Sequence, residues 1–121
     1  MLGYLLCDDL MFSSRITGTA RDLGLSIKTV RSSGDLERLH SAEPATCVVV
    51  DLSNPGLQIA DLLARLRPSA ESRTFVVAYG SHVDTATLQA ARAAGCNVVL
   101  PRSKFVEELP RSLPTWFNSP T

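Results

Sequence analysis

The chain has 121 residues, with Lys+Arg and Asp+Glu both 12, so its formal net charge is zero. That length suits one domain built around a single well-buried core. No lysine- or arginine-rich run supplies the positive field that nucleic acid or an anionic membrane requires, so neither is expected as a partner.

The first apolar run, Gly3-Tyr4-Leu5-Leu6-Cys7, meets Asp8 and Asp9 at once. It reads as a buried strand ending in carboxylate. It is too short for a signal-peptide core or a membrane span, so a cytoplasmic protein is expected. Beyond it, Phe12, Ile16, Ala20 and Leu23 recur at helical spacing, and Gly24 stops that helix. Residues Leu25 to Val30 alternate apolar and polar, the mark of a strand with one wetter face near a sheet edge. Gly34 opens a short helix with Leu36 and Leu39, Pro44 bars its extension, and His40 reads as a solvated residue on it. The apolar, largely β-branched run Thr46 to Val50 suits a central parallel strand, and Asp51 closes it.

Ile59, Leu62, Leu63 and Leu66 form the next helical stripe, ended by Pro68. Phe75 to Tyr79 is a fourth strand. Asp84 is placed to cap an alanine-rich helix, Thr85 to Ala94, which Gly95 terminates, and Val98 to Leu100 is a fifth strand. Phe105, Val106 and Leu109 suggest a fifth helix, but Pro110 and Pro114 threaten it, so residues 110–121 are expected to be irregular. Alternatively Pro110 begins a second short turn carrying Leu113, Trp116 and Phe117. The two aromatics then either cover the sheet or form an exposed apolar patch. Five β–α units with short connections predict one α/β domain over residues 1–121, a doubly wound parallel sheet.

The three cysteines, Cys7, Cys47 and Cys96, have no zinc-like spacing and read as small buried hydrophobes in a reducing compartment. The aspartates say more. In open α/β sheets, ligands bind outside the carboxyl ends of the strands, and Asp8, Asp9 and Asp51 all fall there.

The combination Leu5-Leu6-Cys7-Asp8-Asp9, the strand-end Asp51 and the downstream Asn54-Pro55-Gly56 resembles a receiver domain of two-component response regulators, over residues 2 to 109. The resemblance implies a flavodoxin-like (βα)5 fold with strand order 2-1-3-4-5. It also implies Asp51 as phospho-acceptor, with a Mg²⁺ held by Asp8, Asp9, Asp51 and the main-chain carbonyl of Ser53. A divalent cation would hold crowded carboxylates ionised, and Mg²⁺ prefers such oxygen donors. The expected partners are a histidine kinase or another signalling protein. A homodimer through the face of the fourth helix, fifth strand and fifth helix is also expected.

Several positions depart from that pattern. An ungapped alignment puts Gly80 where receivers carry the Thr or Ser that binds the phosphoryl group, with Ser81 adjacent as a possible substitute. It puts Arg102 at the receiver lysine and Ser103 at the following proline, whereas a gapped alignment puts Leu100 and Pro101 there. Arginine's planar fork is not the compact ammonium of lysine, and Arg102 could instead pair with the acids and stand in for the metal. Asp51 could then be a structural acid, and Asp9 a helix cap. His82 lies on the same edge. Tyr79 is near the position of the receiver aromatic that moves between exposed and buried states.

No Asp-x-Asp follows the first strand as in haloacid dehalogenase-type phosphatases. There is no Gly-x-Gly-x-x-Gly, no Gly-x-x-x-x-Gly-Lys loop and no Gly-x-Ser-x-Gly turn, so an enzyme is not expected. The expectation is a stand-alone atypical receiver acting through protein contacts, with a phosphorylation-independent interaction module as the alternative.

Overall fold

A computed structural model describes residues 2–118. Strands and helices alternate along the chain. They are β1 (Leu2–Leu6), α1 (Leu10–Asp22), β2 (Ser26–Val30), α2 (Ser33–Ala42), β3 (Cys47–Asp51), α3 (Ile59–Leu66), β4 (Phe75–Gly80), α4 (Thr85–Ala94), β5 (Val98–Pro101) and α5 (Arg102–Phe117). The strands form one parallel sheet in the order β2-β1-β3-β4-β5, the flavodoxin-like topology.

Because side chains alternate across a strand, each central strand feeds two cores. Leu5, Cys7, Val49, Val77 and Tyr79 pack with Ile16, Ala20, Phe105 and Leu109 of α1 and α5. Tyr4, Leu6, Val48, Val50 and Val76 pack with Leu36, Leu62, Leu66 and Leu88 of α2, α3 and α4. β3 and β4 are buried along their whole length, as their continuous apolar runs require, whereas β2 is half-exposed, as its alternation predicts. Asp84 caps α4 as expected, accepting from the Thr87 N–H at 3.1 Å.

The tail departs from expectation. Residues 110–117 continue α5 without a break, through both Pro110 and Pro114. Each proline removes one helical hydrogen bond and costs about 3 kcal/mol in a helix interior. The helix persists because its other face buries Leu113, Trp116 and Phe117, each contributing about 1.5–3 kcal/mol. Pro110 faces solvent. The last turn is closed by Asn118, whose backbone N–H and Nδ2 both donate to the Pro114 carbonyl. Phe117 lies against Gly3, its ring occupying the space a side chain at position 3 would need. Trp116 and Phe117 therefore cover the sheet within the chain. Residues 119–121 lie outside those described.

His40 is also corrected, being 6% exposed rather than solvated. Its Nε2 lies 3.0 Å from the Leu66 carbonyl, and its Nδ1 accepts from the Ala45 N–H at 3.1 Å. One neutral tautomer satisfies both bonds, and it ties α2 to the end of α3 and to the segment before β3. Burial holds this imidazole below its ordinary value of 6.5, against a smaller opposing effect of the Leu66 carbonyl. Below pH 6.5 the unfolded chain therefore takes up a proton that the folded chain resists. Stability should be independent of this group above that pH and fall as the pH drops through the window beneath it. Urea unfolding at about pH 7.5 and about pH 5.5 should show this loss in the wild type, and a smaller one in His40→Gln. Equal losses in both would assign the pH dependence to other groups.

Candidate functional site

Asp51 ends the central strand β3, and its side chain is 4% exposed. A buried carboxylate needs partners, and both its oxygens have them. Oδ1 accepts from the Ser53 N–H at 2.9 Å and from Ser53 Oγ at 2.7 Å. Oδ2 lies 3.5 Å from the Cys7 thiol and 3.9 Å from the Arg102 guanidinium. The cysteine follows β1 directly, and β1 and β3 pair Leu6 with Val50, so Cys7 falls opposite Asp51.

Cys7 is thus more than a small apolar residue. The Tyr79 hydroxyl donates to its sulfur at 3.3 Å, which makes a buried chain Tyr79–Cys7–Asp51 across three adjacent strands. Burial raises the Cys7 thiol above its ordinary value, partly offset by the Tyr79 hydrogen bond, and burial likewise raises the Tyr79 phenol. Both groups are therefore protonated at neutral pH. The single S–H serves either Asp51 Oδ2 or the Asp9 carbonyl, which lies 3.5 Å from the sulfur. Composition hides this contact. The parallel register, with Cys7 and Asp51 both one step past paired residues, was the signal for it.

Arg102 is the first residue of α5, one step past β5, and its side chain is 42% exposed. Its guanidinium lies 4.9 Å from the centroid of the Phe12 ring and 5.8 Å from that of Tyr79, a cation–π arrangement beside the acid. Asp8, Asp9, Asp51, Ser53 and Arg102 all line one cleft of about 230 Å³, together with Asn54. Asp8 and Asp9 are exposed. Asp9 caps α1, its Oδ1 accepting from the Phe12 N–H at 3.1 Å.

Gly80 is enclosed. A Cβ there would meet Leu52 Cδ1 at 3.3 Å and Leu88 Cδ2 at 3.5 Å. Leucine side chains thus crowd the position that the ungapped alignment sets against the receiver Thr or Ser. Ser81 is exposed, its Oγ lies 3.4 Å from the Val83 N–H, and it is not among the residues lining the Asp51 cleft. His82 lies with it in a neighbouring cavity. Tyr79 is fully buried, stacked on Phe105 at 4.5 Å between centroids.

Whether Mg²⁺ suits this cleft turns on its donors. Among the described residues there is no group of three or more His, Cys, Asp or Glu placed to hold a metal. The acids lining the cleft are Asp8, Asp9 and Asp51, of which Asp9 already caps α1 through Oδ1. The buried Asn54 Oδ1 also has no hydrogen-bond partner. That set fits an ion that keeps several waters and takes only one or two carboxylates, as Mg²⁺ does.

No family model matches the chain, and no curated protein matches it. Solved structures do. A putative response regulator from Chloroflexus aurantiacus J-10-fl superposes with a TM-score of 0.83 at 16% identity, covering 96% of both chains. The receiver domain of the sensor histidine kinase PA1611 from Pseudomonas aeruginosa PAO1, described with a magnesium ion coordinated in its active site cleft, superposes at 0.82 with 20% identity over 98% of both. A response-regulator receiver domain from Bermanella marisrubri superposes at 0.82 with 19% identity, covering 97% of this chain and 98% of that one. The chain has the fold of response-regulator receiver domains. Among the described residues, no helix is long and apolar enough to cross a membrane.

Proposed function

We propose that the chain is an atypical receiver in phosphorelay signalling, with Asp51 as phospho-acceptor. The observation that carries this reading is the placement of the buried Asp51 carboxylate at the end of β3, in one cleft with Asp8 and Asp9. In the reaction a carboxylate oxygen of Asp51 attacks phosphorus, and the donor's leaving group departs with the electrons of the broken bond. The Ser53 N–H and Oγ hold Oδ1, leaving Oδ2 beside the Cys7 thiol and Arg102. Asp8, Asp51 and the Ser53 carbonyl would hold Mg²⁺, with Asp9 contributing once released from its cap. When bound, the ion neutralises the acids that would repel an incoming phosphate. Arg102 serves in place of the receiver lysine, and Ser81 is the candidate hydroxyl if the loop after β4 rearranges. The donor is a histidine kinase or a related signalling protein. Output passes through protein contact or self-association on the α4–β5–α5 face, in the cytoplasm.

Intact-protein mass spectrometry after incubation with Mg²⁺ and acetyl phosphate tests this. A single phosphoryl adduct supports it. No adduct, with no Mg²⁺ binding, leaves a second reading, a phosphorylation-independent interaction module. The observations favouring that module are the Arg102 guanidinium beside Asp51 and the leucines crowding Gly80. Arg102→Ala separates the two readings further. In a working receiver it should slow adduct formation by roughly tenfold, through loss of one charge-assisted contact. In a frozen site it should create acceptor activity or leave none.

A further inference from the structure

A second concavity, of about 690 Å³, opens between α1, the loop after β4 and the start of α5. Its charge is one-sided. Arg15 and Arg102 line it with His82 and the hydroxyls of Ser81 and Ser103, and no acidic residue is among its described lining. Phe12 and Val106 supply its apolar wall. Its volume lies in the range of small-molecule sites, and its apolar wall with a few convergent polar groups is their usual make-up.

Three observations say what it would take. Arg15 is exposed and forms no ion pair among the described residues, so its guanidinium is open to an anion entering the cavity. Arg102 is anchored on the Phe12 ring, so its fork is held in place rather than free to sweep through solvent. The 16-residue helix α5 begins at this cavity behind Pro101, with no side chain capping its first turn. Its free N–H groups and positive dipole end therefore add to the two guanidinium groups.

From these features we infer a binding site for a small organic anion, its phosphate or carboxylate head held between Arg15 and Arg102 and its apolar body against Phe12 and Val106. The site is separate from the phospho-acceptor cleft and does not depend on Asp51 being phosphorylated. Arg102 lines both spaces, so an anion bound here competes with Asp51 for its guanidinium.

The test uses ¹⁵N-labelled protein in EDTA, titrated separately with phenyl phosphate, benzoate and neutral benzamide and followed by amide chemical shifts. Saturable shifts at Ser81, His82, Arg102 and Ser103 are expected with at least one of the two anions, with a dissociation constant of about 1 mM or tighter. Benzamide should give none. Phenyl phosphate binding more tightly than benzoate assigns a phosphate head, and the reverse order assigns a carboxylate. Arg15→Ala, an exposed helix position that alanine suits, should weaken binding about tenfold. Arg92→Ala, on the exposed surface of α4, should leave it unchanged. The inference is overturned if neither anion saturates, if the shifts centre on Asp8, Asp9 and Ser53, or if Arg92→Ala weakens binding as much as Arg15→Ala. Failure of the acetyl phosphate reaction bears on none of these outcomes.

Discussion

Asp51→Asn should abolish the phosphoryl adduct completely while leaving the fold intact. Asparagine has the same shape, and its carbonyl oxygen can still accept from the Ser53 N–H and Oγ as Asp51 Oδ1 does. It has no anionic oxygen to attack phosphorus, and its amide would point N–H donors at Arg102 and Cys7. The mass spectrum of the variant after acetyl phosphate should show unmodified protein alone. Asp8 and Asp9 are the internal control, since a variant adduct equal to that of the wild type would move the acceptor to one of them and sink the assignment. Mg²⁺ binding should weaken in the same variant, because one of the two carboxylates best placed for the ion is lost.

The largest stability effect should come from Phe105→Ala, at about 3–5 kcal/mol. Phe105 is fully buried, with its ring 4.5 Å from that of Tyr79 and 5.8 Å from that of Trp116. The truncation removes the middle of this stack and leaves a cavity under α5 that the neighbouring rings cannot fill without leaving their own contacts. A small domain has only about 5–15 kcal/mol in total, so urea unfolding should show a midpoint shifted far down at unchanged slope. Phe105→Leu keeps most of the volume and should cost about 1.5 kcal/mol or less. A loss below about 1 kcal/mol for the alanine variant would mean the stack does not hold α5 to the sheet.

The fold was legible because parallel strands buried on both faces must be apolar throughout, and the runs ending at Cys7, Val50 and Tyr79 are. The tail was misjudged because local propensity counts the loss at Pro110 and Pro114 but not the burial of Leu113, Trp116 and Phe117 that offsets it. His40 was misjudged for a similar reason. Nothing in its local sequence signals burial, and the groups that pair with it come from the end of α3 and from residues 45 and 74. At the site, the edge holding Asp8, Asp9 and Asp51 followed from strand ends alone. The consequence of Gly80 did not, because what matters there is the Leu52 and Leu88 side chains beside it.

The amino-acid order by itself determined the alternation of strands and helices, the parallel sheet and the gathering of three carboxylates at its C-terminal edge. Those features follow from side-chain periodicity and from where apolar runs stop. Only the tertiary structure decided how Asp51 is held. Ser53 closes on one oxygen, and Cys7, itself hydrogen-bonded by Tyr79, faces the other alongside Arg102, which Phe12 anchors. These groups come from three strand ends and two helices. Hydrogen bonds and ion pairs act over a few ångströms, so they form only after the hydrophobic packing of the sheet has brought those distant segments together.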